Sequence, residues 1–171
     1  MVKSLMDDAF AHHVWANDRL IEAFLNLTDE QLSRKAVGAY GSILETMRHI
    51  VGGDSFDIFT FTGMWPIVGD PATMDIAELR QANQRIGAEW IRLLTDEFDP
   101  DAIIKEVDPE DGFTRDATVG LRLAGALQHG SEHRSQICTT LTSLGLDPPN
   151  VSVWRFGVDT GRSVEVMPSS Y

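Results

Sequence analysis

The sequence predicts an all-α fold: a four-helix bundle with one long crossover connection and a short β-hairpin before the last helix. Three observations carry this expectation. Four long stretches repeat apolar residues every three to four positions, as a helix does when one face enters a core. The region between the third and fourth stretches holds only short β-branched pieces around a turn sequence, too little for a separate domain. No repeat or low-complexity segment interrupts the 171 residues, a length that suits one domain over 1–171.

The first helix is expected over about Ser4 to Leu27. Leu5, Ala9, Ala16, Leu20, Ala23, Phe24 and Leu27 fall on one stripe, with Asp7, Asp18, Arg19 and Glu22 mostly elsewhere. That stripe passes through His12 and His13, so at least one imidazole looks inward, either as a hydrogen-bonded core histidine or as part of a site. The second helix opens at Ser42, where Ser42 and Glu45 fit a capping box, and runs through His49 to about Phe61. Gly52 and Gly53 each cost such a helix ~1 kcal/mol relative to alanine. Close packing, or room for a ligand beside His49, would offset that cost.

Turn formers from Gly63 through Trp65-Pro66 to Gly69-Asp70-Pro71 break the pattern, and Thr73 or Asp75 can cap a third helix reaching about Phe98. Its stripe is Leu79, Ala82, Ile86, Trp90 and Leu93, with no metal ligand among them. Ile103 to Thr118 reads as a hairpin about Pro109-Glu110-Asp111-Gly112. The fourth helix spans about Val119 to Leu144, carries Leu123, Leu127, His129, His133, Ile137 and Leu141, and meets a stop at Gly145. An extended tail is expected from about residue 147, with Trp154 and Phe156 lying against the bundle or a partner.

Charge excludes one class of partner. A net charge of −12 without a Lys/Arg cluster gives no surface for phosphates, so no nucleic acid is expected. No apolar run approaches the ~20 residues that span a bilayer, which argues against a membrane. One cysteine, Cys138, and no signal-peptide pattern make the cytoplasm the expected compartment.

The chemistry concentrates in His129-Gly130-Ser131-Glu132-His133-Arg134-Ser135-Gln136. Four residues of helix return a side chain to nearly the same face, so His129 and His133 can grip one divalent ion through neutral imidazoles. His49, on another helix, is the candidate third ligand, and a bundle builds metal sites in this way from facing helices.

These residues resemble the DinB-like, or DinB/YfiT-type, superfamily of metalloenzymes, with its histidine on the second helix and H-x-x-x-H-R-x-Q on the fourth. The likeness extends to Trp15-Ala16-Asn17 and Leu20, to Ser42-Ile43 and Glu45-Thr46 before His49, to Asp54 after it, and to Leu144-Gly145 with Pro148-Pro149. Ser135 stands where the family often has glycine, and the doubled glycine after His49 is less typical. The resemblance implies a divalent ion, zinc or nickel, held by His49, His129 and His133 with water in the remaining positions. It further implies a homodimer, and a transferase or isomerase acting on a small-molecule substrate with a low-molecular-weight thiol.

Three protein nitrogens leave an ion an open position, where it can acidify water toward pKa ~7 or hold a thiolate. A metal-dependent thiol transferase and a metal-dependent hydrolase are thus the enzymatic alternatives. A non-catalytic metal-binding protein or dimeric scaffold is the other class. Glu132, about a hundred degrees round from the clamp, is expected to face outward. Asp54 reads either as a carboxylate that orients a ligand imidazole or as an exposed one. Arg134 reads as an anion receptor or as half of an ion pair, with its place in the family motif favouring a structural or site-bordering role, and Cys138 as a small buried residue outside the site. Trp65 and Trp154, in loop and tail, are the pocket or interface candidates among the tryptophans.

Overall fold

Side-chain oxygens decide where the helices start. Thr28 with Gln31, Ser42 with Glu45, and Asp75 with Glu78 each form a reciprocal box in which side chain and backbone cap one another. Thr118 and Ser152 accept from the backbone amides of Leu121 and Arg155. Such oxygens satisfy amide groups that have no partner within the helix.

The computed structural model describes residues 5–64, 67–96, 98–107 and 112–166. In chain order these form α1 (Leu5–Phe24), α2 (Asp29–Leu32), α3 (Ile43–Thr62), a 3-10 turn (Pro71–Thr73), α4 (Ile76–Leu94), β1 (Ile103–Val107), β2 (Thr114–Thr118), α5 (Val119–Ser143) and α6 (Val153–Asp159). The four long helices are the bundle. Helix α1 packs against α4 and α5, and α3 packs against the same two, so helices consecutive among the four are not always neighbours. Their shared interior holds Phe10, Leu20, Ile21, Phe24, Met47, Ile50, Ile58, Leu79, Ile86, Trp90 and Ile137, all nearly or fully buried.

Several boundaries differ from the periodicity. Helix α1 ends at Phe24 rather than Leu27, because the chain turns there and Thr28 starts α2, a short helix the sequence reading did not foresee. Helix α4 stops at Leu94 rather than near Phe98, where the Thr95 hydroxyl donates to the Arg92 carbonyl. Gly63 and Gly145 take left-handed φ of 68° and 74° at the ends of α3 and α5, a conformation glycine adopts without steric penalty.

The hairpin forms as expected, antiparallel from Ile103 opposite Thr118 to Val107 opposite Thr114. Of its expected turn, residues 109–111 lie outside the described residues, as does Trp65. Arg122 of α5 ties the hairpin to the bundle, pairing with Glu106 at 2.7 Å in a buried contact and donating to the Arg115 carbonyl at 2.9 Å.

The tail is not simply extended. Ser152 caps the short helix α6, whose Phe156 is buried edge-on against His12 and Trp15. His12 Nε2 donates to the Val151 carbonyl at 2.9 Å, and Arg162 pairs with Asp8. Trp154 on the same helix is 72% exposed, so only one of the two tail aromatics packs on the bundle. Among the described residues no helix is long and apolar enough to cross a membrane.

Candidate metal centre

Helices α3 and α5 face one another, and their seam is opened by glycine. A Cβ at Gly53 would lie 2.6 Å from His129 Cε1, so the His129 ring occupies the space a side chain would need. The doubled glycine weakens α3 as a helix, and Gly53 makes room for this imidazole. Gly52 has no such crowding; its nearest neighbour is Pro71 at 3.6 Å.

Into this seam the structure brings His49, His129 and His133. Their ring centroids form a nearly equilateral triangle, 4.8 Å from His49 to His129, 4.7 Å from His49 to His133 and 4.6 Å from His129 to His133. One nitrogen of each ring lies within 4.8 Å of the others. His49 Nε2 and His129 Nε2 are 3.0 Å apart. Two lone pairs at that distance repel unless a proton or a cation lies between them. Nitrogens bound to one ion at 2.0–2.1 Å sit about 3 Å apart, so the donor set fits a divalent metal.

The protonation state fits as well. Burial lowers the pKa of His49 from the usual histidine value, and neighbouring His133 adds to the effect. Burial pushes His129 down to about 4, helped by His133 and His49. Neutral imidazoles with free lone pairs are the form that binds metal.

Gln136 orients the third imidazole. His133 Nδ1 lies 3.0 Å from Gln136 Oε1, an oxygen that can only accept, so Nδ1 carries the hydrogen and Nε2 is left for an ion. The same oxygen accepts from the Tyr40 amide at 3.0 Å. Tyr40 is thereby held over the site, stacked on His49 with centroids 4.0 Å apart and edge-on to His133 at 5.3 Å. Sequence reasoning included Gln136 in the motif without a role, and did not single out Tyr40. Gln136 had a signal, three residues after His133 and hence on its face; Tyr40 sits in a loop, where no period applies.

The other candidates lie elsewhere. Asp54 is neither an exposed carboxylate nor the partner of a ligand: it is fully buried, and both oxygens bind His13 Nε2, at 3.0 and 2.9 Å. Arg134 is no anion receptor at the surface, and among the described residues it makes no ion pair with an acidic neighbour; its place is the structural one beside the site. It is buried and reaches His13 Nδ1 at 3.2 Å and Asn17 Oδ1 at 2.9 Å. Burial pushes its pKa down to about 10, with Asp54 opposing the shift. Of the two α1 histidines, His13 is the inward one. Glu132 is exposed, as expected. Cys138 is partly buried against the core, outside the imidazole set, with burial raising its pKa.

A cavity of about 810 Å³ runs between α1 and α4 and is lined by Phe10, Val14, Trp15, Trp90, Ile91 and Leu94 among others. None of the three histidines lines it, so it is separate from the imidazole cluster.

Compared with known proteins, residues 1–160 match the family model described as DinB family. No curated protein matches the chain.

Proposed function

The chain belongs to the DinB family, and from that premise we propose that it is a metal-dependent enzyme that transforms a small molecule with a low-molecular-weight thiol. One observation carries the reading. Three imidazole nitrogens converge, and among the described residues no carboxylate or cysteine joins them. Structural zinc sites are closed by four protein ligands, whereas catalytic sites hold three and keep a position open. This weighs against the alternative of a non-catalytic scaffold.

An ion bound there, zinc or nickel, would supply a Lewis acid able to hold a thiolate at neutral pH. The residues of the chain do the rest. His49, His129 and His133 would present the ring nitrogens, Gln136 fixes the His133 tautomer, and Tyr40 forms a flat aromatic wall beside them. Thiol transfer or isomerisation is preferred to hydrolysis because the nearby carboxylates are not free to act as a base. Asp54 is committed to His13 and Glu132 points to solvent. Cys138 stands apart, so the thiol would be a soluble one. A cytoplasmic homodimer completes the proposal, supported by the free cysteine and by exposed apolar residues such as Ile91 and Trp154. Light scattering at low concentration that returned a single-chain mass would overturn the dimer.

The test is elemental analysis of untagged protein, purified without a metal column, beside His49→Ala and His133→Ala. About one metal per chain in the wild type, lost from both variants, supports the centre. Metal retained by both folded variants removes it. A loaded protein that turns over thiol-dependent substrates but not hydrolysable esters and amides supports the transferase; the reverse result makes it a hydrolase.

A further inference from the structure

Behind the imidazole cluster lies a polar network that the proposed chemistry does not use, and it touches all four long helices. His13 and Asn17 come from α1, Asp54 from α3, Asn83 from α4 and Arg134 from α5; each is buried. Asp54 binds His13 Nε2. Arg134 NH1 meets both His13 Nδ1 and Asn17 Oδ1. Asn17 Nδ2 donates to Asn83 Oδ1 at 3.3 Å, and Asn83 Nδ2 donates to the Val14 carbonyl at 3.1 Å. A guanidinium has no acceptor, so His13 Nδ1 must accept from Arg134 and Nε2 must donate to Asp54. The bonding direction through the network is therefore fixed.

Its members on α3 and α5 sit one residue beyond positions that build the metal seam. Gly53 faces His129, and Asp54 follows it. His129 is followed by Gly130, and His133 by Arg134. One residue is about a hundred degrees of helix, so α3 and α5 turn one face to the ligands and the next to the network. Gly130 makes this contact tight, since a Cβ there would lie 2.2 Å from His13 Cε1 and 2.7 Å from Arg134 NH1. Rotation of α5 about its axis would break the bonds of Arg134 and drive Gly130 into His13. The same rotation would carry His129 and His133 away from His49.

We propose that the buried Asp54–His13–Arg134 network is a positioning device that sets the rotation of α5 against α3 and so holds His49, His129 and His133 at convergence. Apolar packing alone tolerates small helix rotations, because dispersion is not directional, whereas a saturated set of buried hydrogen bonds has one geometry. Asp54, His13 and Arg134 are positioning residues, reaching the site only through the helices they lock. The inference rests on the reading of the three histidines as ligands, and its test separates the two.

The experiment compares wild type, Asp54→Asn and Gly130→Ala with Glu106→Gln, which breaks a buried ion pair at the hairpin instead. Two readouts are taken on each folded protein: ring-to-ring nuclear Overhauser contacts among His49, His129 and Tyr40 in metal-free protein, and zinc affinity by competition with a chelator. The expected result is loss of the ring contacts in Asp54→Asn and Gly130→Ala, with affinity down roughly 10–100-fold. Glu106→Gln should lower the melting temperature with both readouts unchanged. Wild-type ring contacts in both network variants, with only the melting temperature reduced, would overturn the proposal. If Asp54→Asn does not fold, Gly130→Ala decides, because it keeps every charge and donor. Wild-type protein that binds no zinc would remove the metal reading, while the ring contacts would still decide whether the network positions the histidines.

Discussion

Two seams of the bundle use the same device for different ends. Where α1 meets α4, Gly87 lets the helices close until a Cβ would lie 2.8 Å from Val14 Cγ1. Where α3 meets α5, Gly53 leaves space that the His129 ring fills. At the first seam an apolar side chain takes the space, and the gain is packing next to Trp90 and Ile86. At the second a half-buried imidazole takes it, and the gain is a nitrogen brought within 3.0 Å of His49. A glycine in a helix is thus neutral as evidence until its neighbour across the seam is known.

The largest break in this comparison should come from the imidazoles. His129→Ala should lower zinc affinity about a hundredfold or more, since one of the three converging nitrogens of the proposed centre is lost, while the metal-free protein melts close to the wild type because the ring is only half buried. Chelator competition and a thermal melt measure both halves. Wild-type affinity in His129→Ala would put the ion elsewhere.

The glycines give the next effect and test the comparison directly. Gly53→Ala should cost roughly 10–100-fold in zinc affinity as His129 is displaced. Gly87→Ala should leave affinity unchanged and destabilise by about 1–2 kcal/mol, the strain of overpacking against Val14 less the helix preference of alanine. Equal effects on affinity would erase the distinction between the seams.

A pH experiment sharpens the picture one turn beyond Gly53. Burial pushes the Asp57 carboxyl up to about 7, and Asp54 adds to the shift. The folded chain then holds this proton more tightly than the unfolded chain does, so the Asp57 contribution to stability falls as pH rises from about 4 to about 7 and is level above that. Asp57→Asn should be the more stable protein above pH 7 by roughly 2–4 kcal/mol, with the advantage vanishing near pH 4. Denaturant melts at several pH values read the difference, and a constant difference across that range would contradict it. The smallest effect belongs to Glu132→Ala, next to His133 in sequence but exposed. Zinc affinity within about threefold of the wild type is expected, and a larger loss would give Glu132 a part in the site.

Much of the architecture could be read from the chain. Periodicity located all four long helices, and Ser42 with Glu45 marked the start of α3. The ends of α1 and α4 were misjudged because apolar residues past the last turn continue the stripe after the backbone has left the helix. Helix α6 was hidden for a different reason: at seven residues it is too short for a period, and it is held by a cap and by Phe156 on α1.

The site divides in the same way. His129 and His133 lie one helical turn apart, and local geometry alone puts them on one face, so their pairing could be read from the residues. His49 was nameable because its helix was. The fate of Asp54, His13 and Arg134 was not, since each had an ordinary alternative and their bonds span 41 and 121 positions of chain. Tyr40 likewise reaches Gln136 across 96 positions. Short-range spacing fixes which side chains share a face. Which faces meet depends on how four helices rotate and dock, and in this chain that docking turned Asp54, His13 and Arg134 into a buried network and one glycine into the space for an imidazole.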